Sequence, residues 1–248
     1  MKAKCLGSSS EGNCFYIEME RLDSAPVKLL IEAGLPYREI VEKAAMSGAD
    51  IAGADTVLVT HQHGDHARAV KDFTKRGYMV YGNRHVASSP SCVLLPDTGR
   101  YVASDTKVYP FRVEHDAEDS LGFVISTDKE KILFVNDCKY FEKDLSGIPF
   151  DYIFIEANYD PQVIHFALEN AREESDVQNI RRYERLIDSH MSLSNTIRTL
   201  KKMDLSRCRA IFLMHLSERH ANRCVFKAKV HGATGINTFV CLKNGGLL

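Results

Sequence analysis

The chain reads as an α/β protein in which two mixed β-sheets pack face to face with helices outside. Short apolar runs of strand length recur in both halves. Helical spacing appears between and after them, and the order is strands, helices, strands, helices. The length of 248 residues, 44% of them hydrophobic, suits one α/β domain spanning residues 1–248.

The first predicted strands cover residues 2–6, 14–19 and 27–31, each bounded by the Gly, Ser, Asn or Pro residues that turn a chain. Residues 36–46 place Ile40, Val41, Ala44 and Ala45 on one helical face. A continuous apolar strand follows at 56–59, then a helix from about 67 to 75. Further strands are predicted at 79–81, 108–113, 123–126, 132–135 and 152–155. Residues 161–203 carry helical spacing, as at Ile180, Tyr183 and Ile187, with an interruption near 189–194. Another apolar strand runs over 209–214, and 237–242 closes the sheet.

The formal net charge of −1 gives no overall case for nucleic-acid or membrane affinity. The charge is uneven, however. Residues 181–230 hold 12 Lys or Arg against 4 Asp or Glu, a local excess of +8 that leaves −9 on the remainder. Such a segment suits a phosphate-bearing partner or a solvated helical face. The seven cysteines are scattered, odd in number and never in CxxC spacing. That argues against a zinc ribbon and a disulfide framework and for reduced thiols in a cytoplasm. No run approaches the ~20 apolar residues of a membrane span, so a soluble cytoplasmic protein is expected.

The chemistry is concentrated in DTVLVTHQHGDHARAV, residues 55–70, where His61, His63, Asp65 and His66 follow an apolar strand directly. Irregular backbone beyond a strand end lets closely spaced side chains converge. Imidazole and carboxylate together suit zinc, iron or manganese. Two histidines one residue apart can share an ion while Asp65 and His66 turn toward a second.

THQHGDH after an apolar strand resembles the signature of the metallo-β-lactamase fold superfamily. Three more polar residues at strand ends follow in that family's order: His115 in VEHDAEDSLGF, Asp137 in ILFVNDC and His215 in IFLMHLSERH. Singly, each histidine could be a satisfied core residue and Asp137 a turn cap. The resemblance covers nearly the whole chain and implies a four-layer αβ/βα sandwich. It also implies that His61, His63 and His115 hold one divalent cation, that Asp65, His66 and His215 hold another, and that Asp137 bridges them. Zinc is the first expectation, with manganese or iron as alternatives. Cys138 is read as a buried small hydrophobe. His63 stands where a diiron redox branch carries Glu, which favours hydrolysis.

Three stretches resemble the WalJ/YycJ branch of that family: GSSSEGN at 7–13, LIEAG at 30–34 and IEAN at 155–158. Glu32 replaces an aspartate usual in the second. Its extra methylene either repositions the carboxylate or serves the same bracing purpose. SHMSLSNT at 189–196 resembles a stretch of the nuclease and phosphodiesterase branches whose histidine contacts phosphate or protonates the leaving oxygen, and His190 matches it. The implied catalytic residues are Asp65, with a share in orienting the nucleophile, and His190. Ser8, Ser9, Asn13 and Asn158 are expected at the mouth, turn formation being the commoner duty of such residues. Arg181, Arg182, Arg185, Lys201 and Lys202 are expected to rim it for a nucleic acid or other phosphodiester. The rival expectations are a hydrolase of small esters, thioesters or lactones and a metal-bearing binding module without catalysis.

Overall fold

Strands that are apolar on both faces dictate a layered arrangement, because each face must be covered. The computed structural model describes residues 1–103 and 105–247. One sheet contains β1 (Lys2–Gly7), β2 (Cys14–Met19), β3 (Val27–Ile31), β4 (Thr56–Val59), β5 (Val80–Gly82) and β6 (Cys92–Leu94). The other contains β7 (Arg100–Ala103), β8 (Thr106–Arg112), β9 (Leu121–Ser126), β10 (Lys131–Val135), β11 (Tyr152–Glu156), β12 (Ala210–Met214) and β13 (Thr238–Val240). A short β14 (Gly246–Leu247) returns to pair with β1. The helices are α1 (Tyr37–Ser47), α2 (Gly64–Ala67), α3 (Val70–Lys75), α4 (Arg84–Ala87), α5 (Pro161–Glu173), α6 (Val177–Ser189), α7 (Leu193–Leu200) and α8 (Arg223–Thr234). None of the described helices is long and apolar enough to cross a membrane.

Alternation along the strands sorts side chains into three cores. Leu29, Ile31 and Leu58 of the first sheet meet Phe123, Phe134, Phe154 and Phe212 of the second. Leu30, Val57 and Val59 point the other way, to Ile40 and Phe73 of α1 and α3. Leu133, Ile153 and Ile211 likewise meet Leu193, Leu200 and Phe226 of α7 and α8. Three cores between four layers make the expected sandwich. In the middle core Phe15 meets Phe134 edge-on at 5.4 Å, and Phe154 stacks on Phe212 at 4.3 Å. Each fully buried ring contributes roughly 1.5–3 kcal/mol.

Both sheets share one plan. An antiparallel meander leads into four parallel strands, β3 to β6 in one sheet and β10 to β13 in the other. β8 and β10 are each antiparallel to β9, so they point the same way. The carboxyl ends of β3, β4, β8, β10, β11 and β12 are where the polar residues at 32, 61–66, 115, 137, 156 and 215 begin. Open parallel sheets place their sites at such ends.

Several boundaries differ from the expectation. The helix predicted from about residue 67 is two short helices, with α2 starting inside the histidine cluster at Gly64. The long helical stretch breaks a second time at 174–176, where Asp176 caps α6 through its side chain. Strands β6, β7 and β14 and helices α4 and α8 lie outside the expected elements. The break at 189–194 is not a loose turn. His190 is extended, Ser192 bridges Tyr159 in parallel, and the amide of Asn158 donates to the Met191 carbonyl at 2.8 Å.

Candidate active site

The His61–His66 turn is held by backbone before any side chain acts. The amides of Asn13 and Ala33 donate to the carbonyls of Asp65 and His66, both at 2.8 Å. Gly34 lies so close beneath that an added Cβ would stand 1.6 Å from the Asp65 carbonyl oxygen. Only glycine permits that approach. Gly34→Ala is therefore expected to cost about 3 kcal/mol or more, lowering Tm by roughly 6–12 °C in a chain of this size. Calorimetry showing a shift under 2 °C would contradict this.

Three residues sit in left-handed backbone within two positions of the ends of parallel strands: Glu32 at φ 68°, Asp137 at φ 47° and His215 at φ 55°. Such conformations cost about 1–3 kcal/mol in a non-glycine residue and persist where surroundings over-determine them. Here each aims a carboxylate or imidazole into one space.

Nitrogens of His61, His63 and His115 lie within 4.8 Å of one another, as do ligand atoms of His61, His66 and Asp137, and those of Asp137, Glu156, His190 and His215. Asp65 belongs to none of these groups, and His215 groups with Glu156 and His190 rather than with Asp65 and His66. Asp137 is central. Its Oδ2 is 3.2 Å from His66 Nε2 and 3.6 Å from His115 Nε2, and its Oδ1 is 3.2 Å from His215 Nδ1. Asp65 Oδ2 is 3.6 Å from His66 Nε2.

A ring of partners fixes these side chains. Buried Glu32 accepts from the Thr60 hydroxyl at 2.6 Å and lies 3.2 Å from His66 Nδ1, so the longer acid still braces the turn. The same Thr60 hydroxyl meets His61 Nδ1 at 2.9 Å. His115 Nδ1 donates to the Ser189 carbonyl at 2.9 Å. Anchoring one ring nitrogen leaves the lone pair of the other for an ion.

Burial opposes charge on His61 and, with the neighbouring His66, lowers its pKa well below the usual imidazole range. Burial also opposes charge on Asp137, yet His215 and His66 hold its carboxyl well below the ordinary value. Burial likewise works against ionised Asp65, whose contact with His66 still holds it low. His61 Nε2, His115 Nε2, His215 Nε2 and Asp137 Oδ1 are buried with no hydrogen-bond partner among the described residues. Each orphan costs about 1–3 kcal/mol. Clustered imidazole and carboxylate lone pairs are what a divalent cation accepts, so the donor set fits the metals implied by the sequence.

His190 lies beside this cluster, its ring 5.4 Å from that of His115 and 5.0 Å from that of His215. Its Nδ1 meets Glu156 Oε1 at 2.7 Å. Glu156 carried no expectation, although it ends the apolar strand YIFIE. A buried carboxylate at that position was the available signal. Its Oε2 accepts from the amides of Cys138 (2.7 Å) and Met191 (3.1 Å), while Oε1 also faces His215 Nδ1 at 3.1 Å. Glu156 thus ties the backbone at 138 and 191 to the rings of His190 and His215. Burial opposes charge on His190, but Glu156, then Asp137 and Asp116, push its pKa up to about 9. Burial pushes the Cys138 thiol up, with Glu156 adding to it, which keeps the thiol protonated.

The site floors a cavity of about 690 Å3 lined by His63, Asp65, His115, Asp137, Asn158, His190 and His215. Ser8 and Asn13, expected at its mouth, lie beneath it because their turn folds inward. Ser8 Oγ accepts from the His215 amide at 2.8 Å, and buried Asn13 Nδ2 reaches the Asp65 carbonyl at 3.3 Å. Ser9, also expected there, does line the cavity, together with Ser10. Asn158 reaches the cavity while donating to the His215 carbonyl at 2.7 Å. Arg181 and Arg182 line the rim with Arg219, and none of the three has an ion pair or hydrogen bond among the described residues. Arg185 is spent on Asp116, which takes its Nε and Nη2, both at 2.7 Å. Lys201 and Lys202 do not line this cavity, since they follow α7 on another face.

A model of the Beta-lactamase superfamily domain matches residues 28–216. Exodeoxyribonuclease WalJ of Streptococcus pneumoniae is 26% identical over 240 residues, covering 88% of this chain and 82% of its own. Exodeoxyribonuclease YycJ of Bacillus anthracis is 22% identical over 236 residues, covering 82% and 86%. Among solved structures, the metallo-beta-lactamase fold protein YhfI from Bacillus subtilis superposes with a TM-score of 0.70 at 12% identity, covering 100% of this chain and 99% of that one.

Proposed function

The chain belongs to the beta-lactamase superfamily, and from that premise we propose that it is a phosphodiester hydrolase of nucleic acid holding two divalent cations, zinc first. The observation that carries the reading is His190, locked by Glu156 beside the ligand cluster in a cavity where Arg181, Arg182 and Arg219 are unpaired among the described residues. The exodeoxyribonuclease names of the two relatives favour DNA. His61, His63 and His115 hold one cation, Asp65, His66 and His215 the other, with Asp137 between. Imidazole-rich sets suit zinc.

Divalent cations in such a site supply a nucleophilic hydroxide at neutral pH and offset charge on the phosphate. The protein does the rest. Arg181, Arg182 and Arg219 take neighbouring phosphates and set the strand's register without reading bases. Asp65 orients the attacking oxygen. His190, with a pKa raised to about 9, is protonated below that value and hence at neutral pH. Its Nδ1 proton is held by Glu156, so Nε2 carries the proton that passes to the departing oxygen. Glu156 then keeps the neutral ring in the tautomer that can be reprotonated at Nε2. Small esters need no such rim, which disfavours that alternative.

End-labelled single- and double-stranded DNA and RNA, incubated with zinc or manganese, test the reading. The double variant Arg181→Ala/Arg182→Ala is expected to raise KM for a strand about tenfold or more. The slope of log affinity against log salt should flatten by roughly 1.4–1.8. The effect on bis(p-nitrophenyl) phosphate, which has no flanking phosphates, should be far smaller. Turnover of a lactone or thioester with no cleavage of any phosphodiester would reject the proposal.

A further inference from the structure

Lys202, expected at the active-site rim, instead faces a second cavity of about 530 Å3 between the 139–146 loop and α7. Phe141, Leu145, Met191 and Met203 give this cavity an apolar floor. Asn195, Arg198, Thr199 and Lys202 line one side at helical spacing, and Lys143 lines the facing loop. Lys143, Arg198 and Lys202 are exposed and make no ion pair or hydrogen bond among the described residues. Of the cavity's two carboxylates, Asp144 accepts from the Ser146 amide at 3.0 Å and attracts Lys143. Exposed Glu142 makes no ion pair or hydrogen bond among the described residues, so Arg198 and Lys202 are the cations left without a carboxylate partner. Lys139, the remaining cation of the lining, pairs with Asp188 at 2.8 Å.

We propose that this cavity is a nucleotide-binding site separate from the catalytic one. A mononucleotide matches its three kinds of wall. The base packs on half-buried Phe141 and Met203, Asn195 meets a polar base edge, and the phosphate takes Arg198 and Lys202, with Lys143 on the facing loop. The volume falls within the ~300–1,000 Å3 usual for small-molecule sites. Met191 adjoins His190, and Lys139 stands two residues beyond Asp137, so the cavity borders both segments that carry the catalytic centre. A free mononucleotide and the distal part of a bound strand offer the same chemistry.

Titration calorimetry of the full, zinc-loaded chain with dAMP, deoxyadenosine and inorganic phosphate tests the site, alongside the variant Lys143→Ala/Arg198→Ala. An unchanged Tm of the variant controls for folding, since both side chains are exposed. For a free nucleotide, wild type takes up two dAMP per chain and the variant one, with the second site at least tenfold weaker. For a strand, KM for a ten-residue oligonucleotide rises in the variant while that for a dinucleotide does not. If the variant changes neither quantity, or if deoxyadenosine binds as tightly as dAMP, the inference is overturned. The heat of dAMP binding is read without turnover, so a chain that cleaves no phosphodiester would refute the catalytic reading and leave this one standing.

Discussion

His190→Ala is expected to slow hydrolysis of DNA by about 10²–10⁴-fold, roughly 3–5 kcal/mol in the barrier, with metal content unchanged. The ring is tied through Nδ1 to Glu156 at 2.7 Å and lies outside the sets formed by His61, His63, His115 and by His61, His66, Asp137. It does group within 4.8 Å with Asp137, Glu156 and His215, so metal content is the readout that separates a proton donor from a ligand. Its removal takes away a proton donor while leaving those ligands in place. The deficit should shrink for bis(p-nitrophenyl) phosphate, whose leaving group departs as a stable anion without a proton. The paired rates on DNA and on the nitrophenyl ester separate an acid from a scaffold. Equal deficits on both substrates, or loss of metal, would show that His190 holds an ion or the fold instead.

His63→Ala should be still more severe, removing at least one equivalent of metal and reducing turnover to the uncatalysed background. The side chain of His63 is 34% exposed, so truncation opens no buried cavity and the fold should survive. What is lost is one of three imidazoles converging within 4.8 Å, and a site with two has lost a third of its donors from that group. Atomic emission on the dialysed variant, together with rates on labelled DNA, measures both effects. Full metal and near-normal rates would remove His63 from the centre.

Much of this was legible because of one physical circumstance. Parallel strands covered on both faces must be apolar throughout, so TVLV, KILFV, YIFIE and AIFLM stand out as runs, and the polar residues that end them are conspicuous. His215 follows such a run directly, and His61 and Asp137 follow with one residue between. The short edge strands β6 and β7 are half-exposed, so no pattern separates them from loop. The four-residue helix α2 is held by contacts from Asn13 and Ala33 rather than by its own propensity. Facing was the other illegible quantity. Ser8 and Asn13 belong to a polar turn, but which of its side chains point inward depends on pairing with residues 65 and 215. Lys202 carries the right charge on the wrong face, and Glu156 is buried where a sequence gives no sign of who its partners are.

Metal stoichiometry of the purified, dialysed chain tests the dinuclear centre most directly. Native mass spectrometry should find two divalent cations per wild-type chain and lose both in Asp137→Ala, because that carboxylate lies against His66, His115 and His215 together. One ion or none in the wild type, or two ions retained without Asp137, would contradict it.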